Sequence, residues 1–283
     1  MALTRTYEED EVGPELRRVY TDVRQSLDVP FVPTLFKAAA GLPEYLKIFW
    51  DDLGPVTRSR EFAAAAKALT EFTQSLVIAG VWRFADQQRV LAAQKFSPTD
   101  IEQLAAVAGV FARALPKMVL LARLLQRGYS GGQKGRISGT PQVAAVARLI
   151  TLHIPSEKDA NLRVWLLYND IRKGTAARHV LSLFRALSPF PGYLAAVWLE
   201  TKKLIAEPSF RRAREEVSKR ALGVLNGLPV RDHRAAAKRI PPEPWRDIEE
   251  MVDSYVRLAP QFALIAAVWQ RSFPQYAGGV VAA

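Results

Sequence analysis

The 283-residue sequence contains no cysteine, only three histidines (positions 153, 179 and 233) and only three methionines. Without cysteine there can be no disulfide, no thiolate metal site and no thiol nucleophile, and nothing points to an oxidising compartment. Three dispersed histidines make a histidine-only metal site an unpromising reading, so no metal and no cofactor is expected. No apolar run reads as long enough to cross a bilayer, and the opening Met-Ala-Leu-Thr-Arg-Thr-Tyr-Glu-Glu-Asp lacks the apolar core and cleavage signal of a leader peptide. The expectation is a cytoplasmic protein with no membrane partner.

The chain does have a large apolar fraction, 49%, and a net charge of +11. The first supplies a core for one large domain or two units of about 140 residues. The second invites a nucleic-acid reading, because cations that neutralise phosphates drive non-specific binding. Their distribution argues otherwise. Lys202, Lys203, Arg211, Arg212, Arg214, Lys219 and Arg220 are interspersed with Glu and Ala at helical spacing, as on a solvated helix face, and no nucleic-acid motif accompanies them. No specific nucleic-acid partner is expected, although a positive field favours small anions.

Apolar residues recur every three or four positions through Phe62 to Val81, Ile101 to Leu125, Val143 to Ile154 and Trp245 to Trp269, which predicts helices, and no segment alternates as a strand. Ser97-Pro98 and Pro241-Pro242 read as helix starts, a capping serine and prolines suiting the first helical turn. Residues 128–141 hold five of the sixteen glycines and read as a linker. A phosphate-cradling loop there is disfavoured because the Gly-x-x-x-x-Gly-Lys-Ser/Thr spacing is not met.

At an offset of 148 residues, Tyr20 matches Tyr168, Asp22 matches Asp170, Arg24 matches Arg172, Phe36 matches Phe184, Pro43 matches Pro191, Tyr45 matches Tyr193 and Trp50 matches Trp198. An offset of 144 then pairs Pro98 with Pro242, Phe111 with Tyr255 and Pro116 with Pro260. The expected architecture is all-α, with two tandem helical repeats, 1–127 and 142–283, packed as an intramolecular pseudo-dimer with a ligand site between them. Further association of such molecules is left open. The matched aromatics read as core. Asp170 and Arg172 read as a surface pair, His153 as a structural histidine, and His233 as part of a charged loop.

Tyr20-Thr21-Asp22-Val23-Arg24, Val29-Pro30-Phe31-Val32 and Leu42-Pro43-Glu44-Tyr45-Leu46 resemble the opening repeat of the group I (DehI-type) 2-haloacid dehalogenases. Pro116-Lys117, Ala186-Leu187 and Phe190-Pro191 fit the same family. The resemblance implies hydrolysis of the carbon–halogen bond of short 2-haloalkanoic acids, with an Asp activating water for direct attack and an Asn positioning it. Anchored on those motifs, the Asp position is Leu183 and the Asn position is Leu115, and leucine does neither task. The resemblance also makes Phe31 a pocket aromatic, which the repeat carries onto His179. Phe31 with Thr34, and His179 with Ser182, should then approach a central cavity from opposite sides. In helical geometry His179 would lie one turn before Leu183, where it is the candidate replacement base. Arg178 and Lys117 are the cations expected to face a ligand carboxylate. The two functions in contention are a small-carboxylate hydrolase and a non-dehalogenating small-molecule-binding protein, or an enzyme of altered chemistry, on the same fold.

Overall fold

In the computed structural model, residues 5–137, 152, 154–234, 238 and 240–273 are described. Among them the chain forms eleven α-helices: α1 Pro14–Leu27, α2 Thr34–Ala39, α3 Pro43–Thr57, α4 Arg60–Ala79, α5 Gln87–Ala93, α6 Pro98–Tyr129, α7 Leu162–Thr175, α8 Ser182–Arg185, α9 Pro191–Ala206, α10 Pro208–Val224 and α11 Pro242–Arg271. The only β-type pairing among them is one isolated antiparallel bridge between Gln133 and Val230. His153 lies outside the described residues, as do all but Leu152 and Ile154 of the apolar stretch from Val143.

Local chemistry sets the helix ends. Ser97 and Asp100 form a reciprocal capping box at the start of α6, and the side chains of Ser59 and Asn161 accept the N–H groups of Phe62 and Val164, satisfying donors that have no intrahelical partner. Asp28 and Ala176 end α1 and α7 in the left-handed region, at φ 50° and 55°. Ser97→Ala should therefore lower stability by roughly 1 kcal/mol, measured as a shift in the urea midpoint at constant slope. An unchanged midpoint would show the cap to be idle.

The two long helices α6 and α11 pack along each other and form the centre of the core. Each is apolar around most of its circumference and carries an internal proline, Pro116 and Pro260. α6 corrects the expectation that no segment has membrane-spanning character: by length and composition it qualifies, with 78% of its most apolar window buried inside the protein. Its apolar faces are met by α11, α4 and α10. The proposed linker also starts too early, since α6 continues through Gly128 and Tyr129. The Gly128 position has no room for a side chain beneath the His233 ring.

Helices α7, α8, α9 and α10 begin 148 residues after α1, α2, α3 and α4, and α11 begins 144 after α6. The Trp50 and Trp198 indole N–H groups donate to Asp22 and Asp170, each at 2.7 Å. This corrects the expected Asp170–Arg172 pair. Asp170 also accepts Lys202, and these two donors hold its carboxyl below the ordinary range, while Arg172 pairs with Glu157 at 2.6 Å. His233 sits among Arg231, Asp232 and Arg234 as expected, and is buried, with Nε2 2.9 Å from Asp52. Phe36, Phe184, Tyr45, Tyr193, Trp50 and Trp198 are all buried.

Candidate functional site

Between α2, α6, α8 and α11 lies a cavity of about 50 Å³. Phe31, Pro33, Thr34 and Leu35 enter it from the α1–α2 connection and the first turn of α2, and Ala177, Arg178, His179, Leu181, Ser182 and Leu183 from the corresponding stretch at α8. α6 adds Phe111, Leu115 and Met118. α11 contributes Met251, Ser254, Tyr255, Leu258, Ala259 and Phe262. The Phe31 and Phe111 rings meet at 4.9 Å between centroids, closing the apolar side.

Seven of the eight residues singled out from the sequence, Phe31, Thr34, Leu115, Arg178, His179, Ser182 and Leu183, line this space together. Lys117 does not. Its ammonium donates to the Leu27 carbonyl instead, and burial holds its pKa below the usual lysine value. The physical reason is its place on α6: two residues beyond Leu115, its side chain leaves the cavity face and reaches the end of α1. The expectation that His179 stands on a helix one turn before Leu183 also needs correcting, because α8 begins only at Ser182 and His179 sits in the preceding connection. It is nonetheless buried in the wall.

The Thr34 and Ser182 hydroxyls are 3.1 Å apart, and the Ser182 N–H donates to Thr34 Oγ1 at 3.3 Å. Arg178 is exposed at the rim and gives its guanidinium to Glu250 at 2.6 Å. The connection bearing His179 is fixed from behind by Glu157, which accepts the Val180 N–H at 2.8 Å as well as Arg172. Burial raises the Glu157 pKa against those favourable partners. Burial, followed by the nearby Glu157 carboxylate, also raises the Tyr255 phenol.

Beneath the cavity, α2 and α8 carry two further buried cations, Lys37 and Arg185. Both pair with Glu8, and Arg185 Nε donates to the Pro155 carbonyl at 2.8 Å. Burial pushes the Glu8 pKa up, but Arg185 and Lys37 outweigh it and hold the carboxyl below its usual value. Among the described residues, no group of three or more His, Asp or Glu side chains could hold a metal ion.

An all-helical protein with a small, mainly apolar cavity walled by two long helices and two short ones defines the class. Within it the chain belongs to the family described as halocarboxylic acid dehydrogenase DehI, whose sequence model matches residues 30–184. It is 26% identical over 239 residues to an (R)-2-haloacid dehalogenase of Rhizobium sp. (strain NHG3), covering 81% of this chain and 90% of that protein. It is 24% identical over 240 residues to an (R)-2-haloacid dehalogenase of Pseudomonas putida, covering 81% and 78%. Solved structures of a D-2-haloacid dehalogenase mutant with D-2-CPA and of a D-2-haloacid dehalogenase with L-LA share the fold. Each has a TM-score of 0.84 at 22% identity, over 96% of this chain and 95% and 96% of theirs.

Proposed function

We propose that this chain is a small-molecule-binding member of the DehI family that does not perform carboxylate-assisted dehalogenation. The observation that carries the reading is the cavity wall: among its described residues there is no Asp, Glu, Asn or Gln. Direct hydrolysis at a halogen-bearing carbon needs a base within hydrogen-bond reach of the attacking water. At the positions where the family resemblance puts an Asp and an Asn, the wall has Leu183 and Leu115. His179 is the one side chain in that wall with the chemistry of an ordinary general base, so any proton transfer retained there would run through it.

The reading includes the tandem arrangement, with a first unit that runs to the end of α6, a linker that begins after Tyr129 and a second unit from 142, packed as a pseudo-dimer around the cavity. The spacing of helix starts, 148 residues for four pairs and 144 for the fifth, supports it, as do the matched Asp–Trp contacts. So does the contact of Thr34 with Ser182, 148 residues away: a residue that touches its own repeat mate lies beside the axis relating the two units.

Chloride release from 2-chloropropionate by the purified protein is the test. No turnover above the buffer rate is expected, since loss of a positioned base costs about a hundred- to ten-thousand-fold. Turnover near ~10 per second, ordinary for an enzyme, would overturn the proposal. His179→Ala would then show whether the imidazole is the base.

A further inference from the structure

We infer that the occupant of the cavity is a short uncharged molecule bearing an oxygen, an alcohol or carbonyl compound of roughly two to four non-hydrogen atoms, and not a carboxylate. The inference rests on the cavity being a ligand site, and it adds the class of ligand.

Charge is the first argument. Among the described residues of the wall, the one permanently charged cation is Arg178, which stands at the exposed rim and is already neutralised by Glu250 at 2.6 Å. Lys117 turns away to the Leu27 carbonyl. The buried cations Lys37 and Arg185 lie outside the wall and share Glu8. A carboxylate placed among Phe31, Phe111, Leu115, Met118 and Leu183 would surrender its hydration without gaining a permanently charged partner, which is the costly case for a buried charge.

The hydrogen-bonding groups make the second argument. Besides His179 and Arg178, the polar side chains of the wall are Thr34, Ser182, Ser254 and Tyr255, all hydroxyls. A hydroxyl both donates and accepts, so this set suits a neutral O–H or C=O. Thr34 and Ser182 already face each other at 3.1 Å, and a guest oxygen could join that pair without leaving either group unpaired.

Size is the third. An apolar cavity of about 150 Å³ accepts benzene, with six carbons. The cavity here is about 50 Å³, which suits a guest well below that size.

Acetone, acetamide and acetate form a test series, because they share one shape and differ in charge. Met118 and Met251 both line the cavity, and the chain has only three methionines. A spectrum of the full-length protein labelled with ¹³C-methyl methionine therefore reports occupancy directly. Met118→Leu and Met251→Leu assign the signals. At pH 8, acetone and acetamide should shift both signals saturably with weak, millimolar affinity, and acetate should bind at least tenfold less well. Thr34→Val with Ser182→Ala should weaken acetamide several-fold while leaving the helical circular dichroism unchanged. Acetate binding as tightly as acetamide would overturn the inference while leaving the cavity as a ligand site. Should none of the three shift either signal, the ligand-site reading itself falls and takes the inference with it.

Discussion

Leu183→Asp combined with Leu115→Asn should give the protein a chloride-releasing activity at least a hundredfold above its own background, the lower end of what a positioned base supplies. Both leucines border the cavity and are nearly inaccessible, at 2% and 7% exposure. Asp and Asn branch at the same carbon as leucine but replace two methyl groups with smaller polar atoms that can hydrogen-bond, so they can hold water beside the new carboxylate. The substrate should be 2-chloroacetamide, because the uncharged cavity would gain an anion, and a second anion in the substrate would be repelled. Alkylation of thiols by this substrate does not confuse the assay, since the chain has no cysteine. Water attacks the halogen-bearing carbon, the introduced carboxylate takes its proton and chloride leaves. Stability is a second readout. In a dry core the new carboxylate would cost several kcal/mol, whereas beside a hydrated cavity the loss should be smaller. A double variant that keeps its helical circular dichroism yet releases no chloride from the amide or from 2-chloropropionate would remove these two positions from any catalytic reading.

The second large effect concerns Glu8. Lys37 and Arg185 are 5% and 0% exposed, and both direct their charge to this one carboxylate. Removing one partner of a buried ionic group typically costs about 3–5 kcal/mol, so Glu8→Gln should destabilise the protein by about 3 kcal/mol at pH 7. The effect depends on pH with a definite sign. The folded pKa of Glu8 is lowered, so its contribution is complete above the unfolded value of about 4.3 and disappears as pH falls through the lower folded value. Urea titrations of wild type and variant should differ at pH 7 and converge in strong acid. A difference that persists unchanged at pH 2 would assign the loss to packing and not to charge.

The helical class was legible because period and punctuation agreed. All but the last two residues of Phe62 to Val81 lie in α4, Ile101 to Leu125 lies inside α6, and Ser97-Pro98 opens a helix with a complete capping box. Part of the cavity wall was legible because the internal offset carries Phe31 onto His179 and Thr34 onto Ser182, and all four line it. The contributions of α6 and α11 beyond Leu115 were missed. These helices are buried around most of their surface, so composition does not distinguish Met118, Met251 or Phe262 from any other core residue. The pairing of Phe111 with Tyr255 was a usable signal, since a polar ring matched to an apolar one in a buried helix suggests a hydroxyl with a cavity to face. Lys117 was misplaced because adjacency to Leu115 in sequence is not adjacency on a helix face. Asp170 and Arg172 were misjoined for the same reason: residues two apart on α7 point in different directions, toward Trp198 and toward Glu157.

The Glu8 clasp also bears on the order in which the molecule is assembled. Its carboxylate is synthesised before either of its partners, one of the two cations lying 177 residues further along the chain, and Glu11 near it pairs with Lys158, 147 residues away. During synthesis Glu8 can engage Lys37 soon after it is made but must wait for the 177 residues that separate it from its second partner. The Glu8 segment therefore completes its docking only after α8 has been made, and its second ion pair registers that this distant helix has arrived.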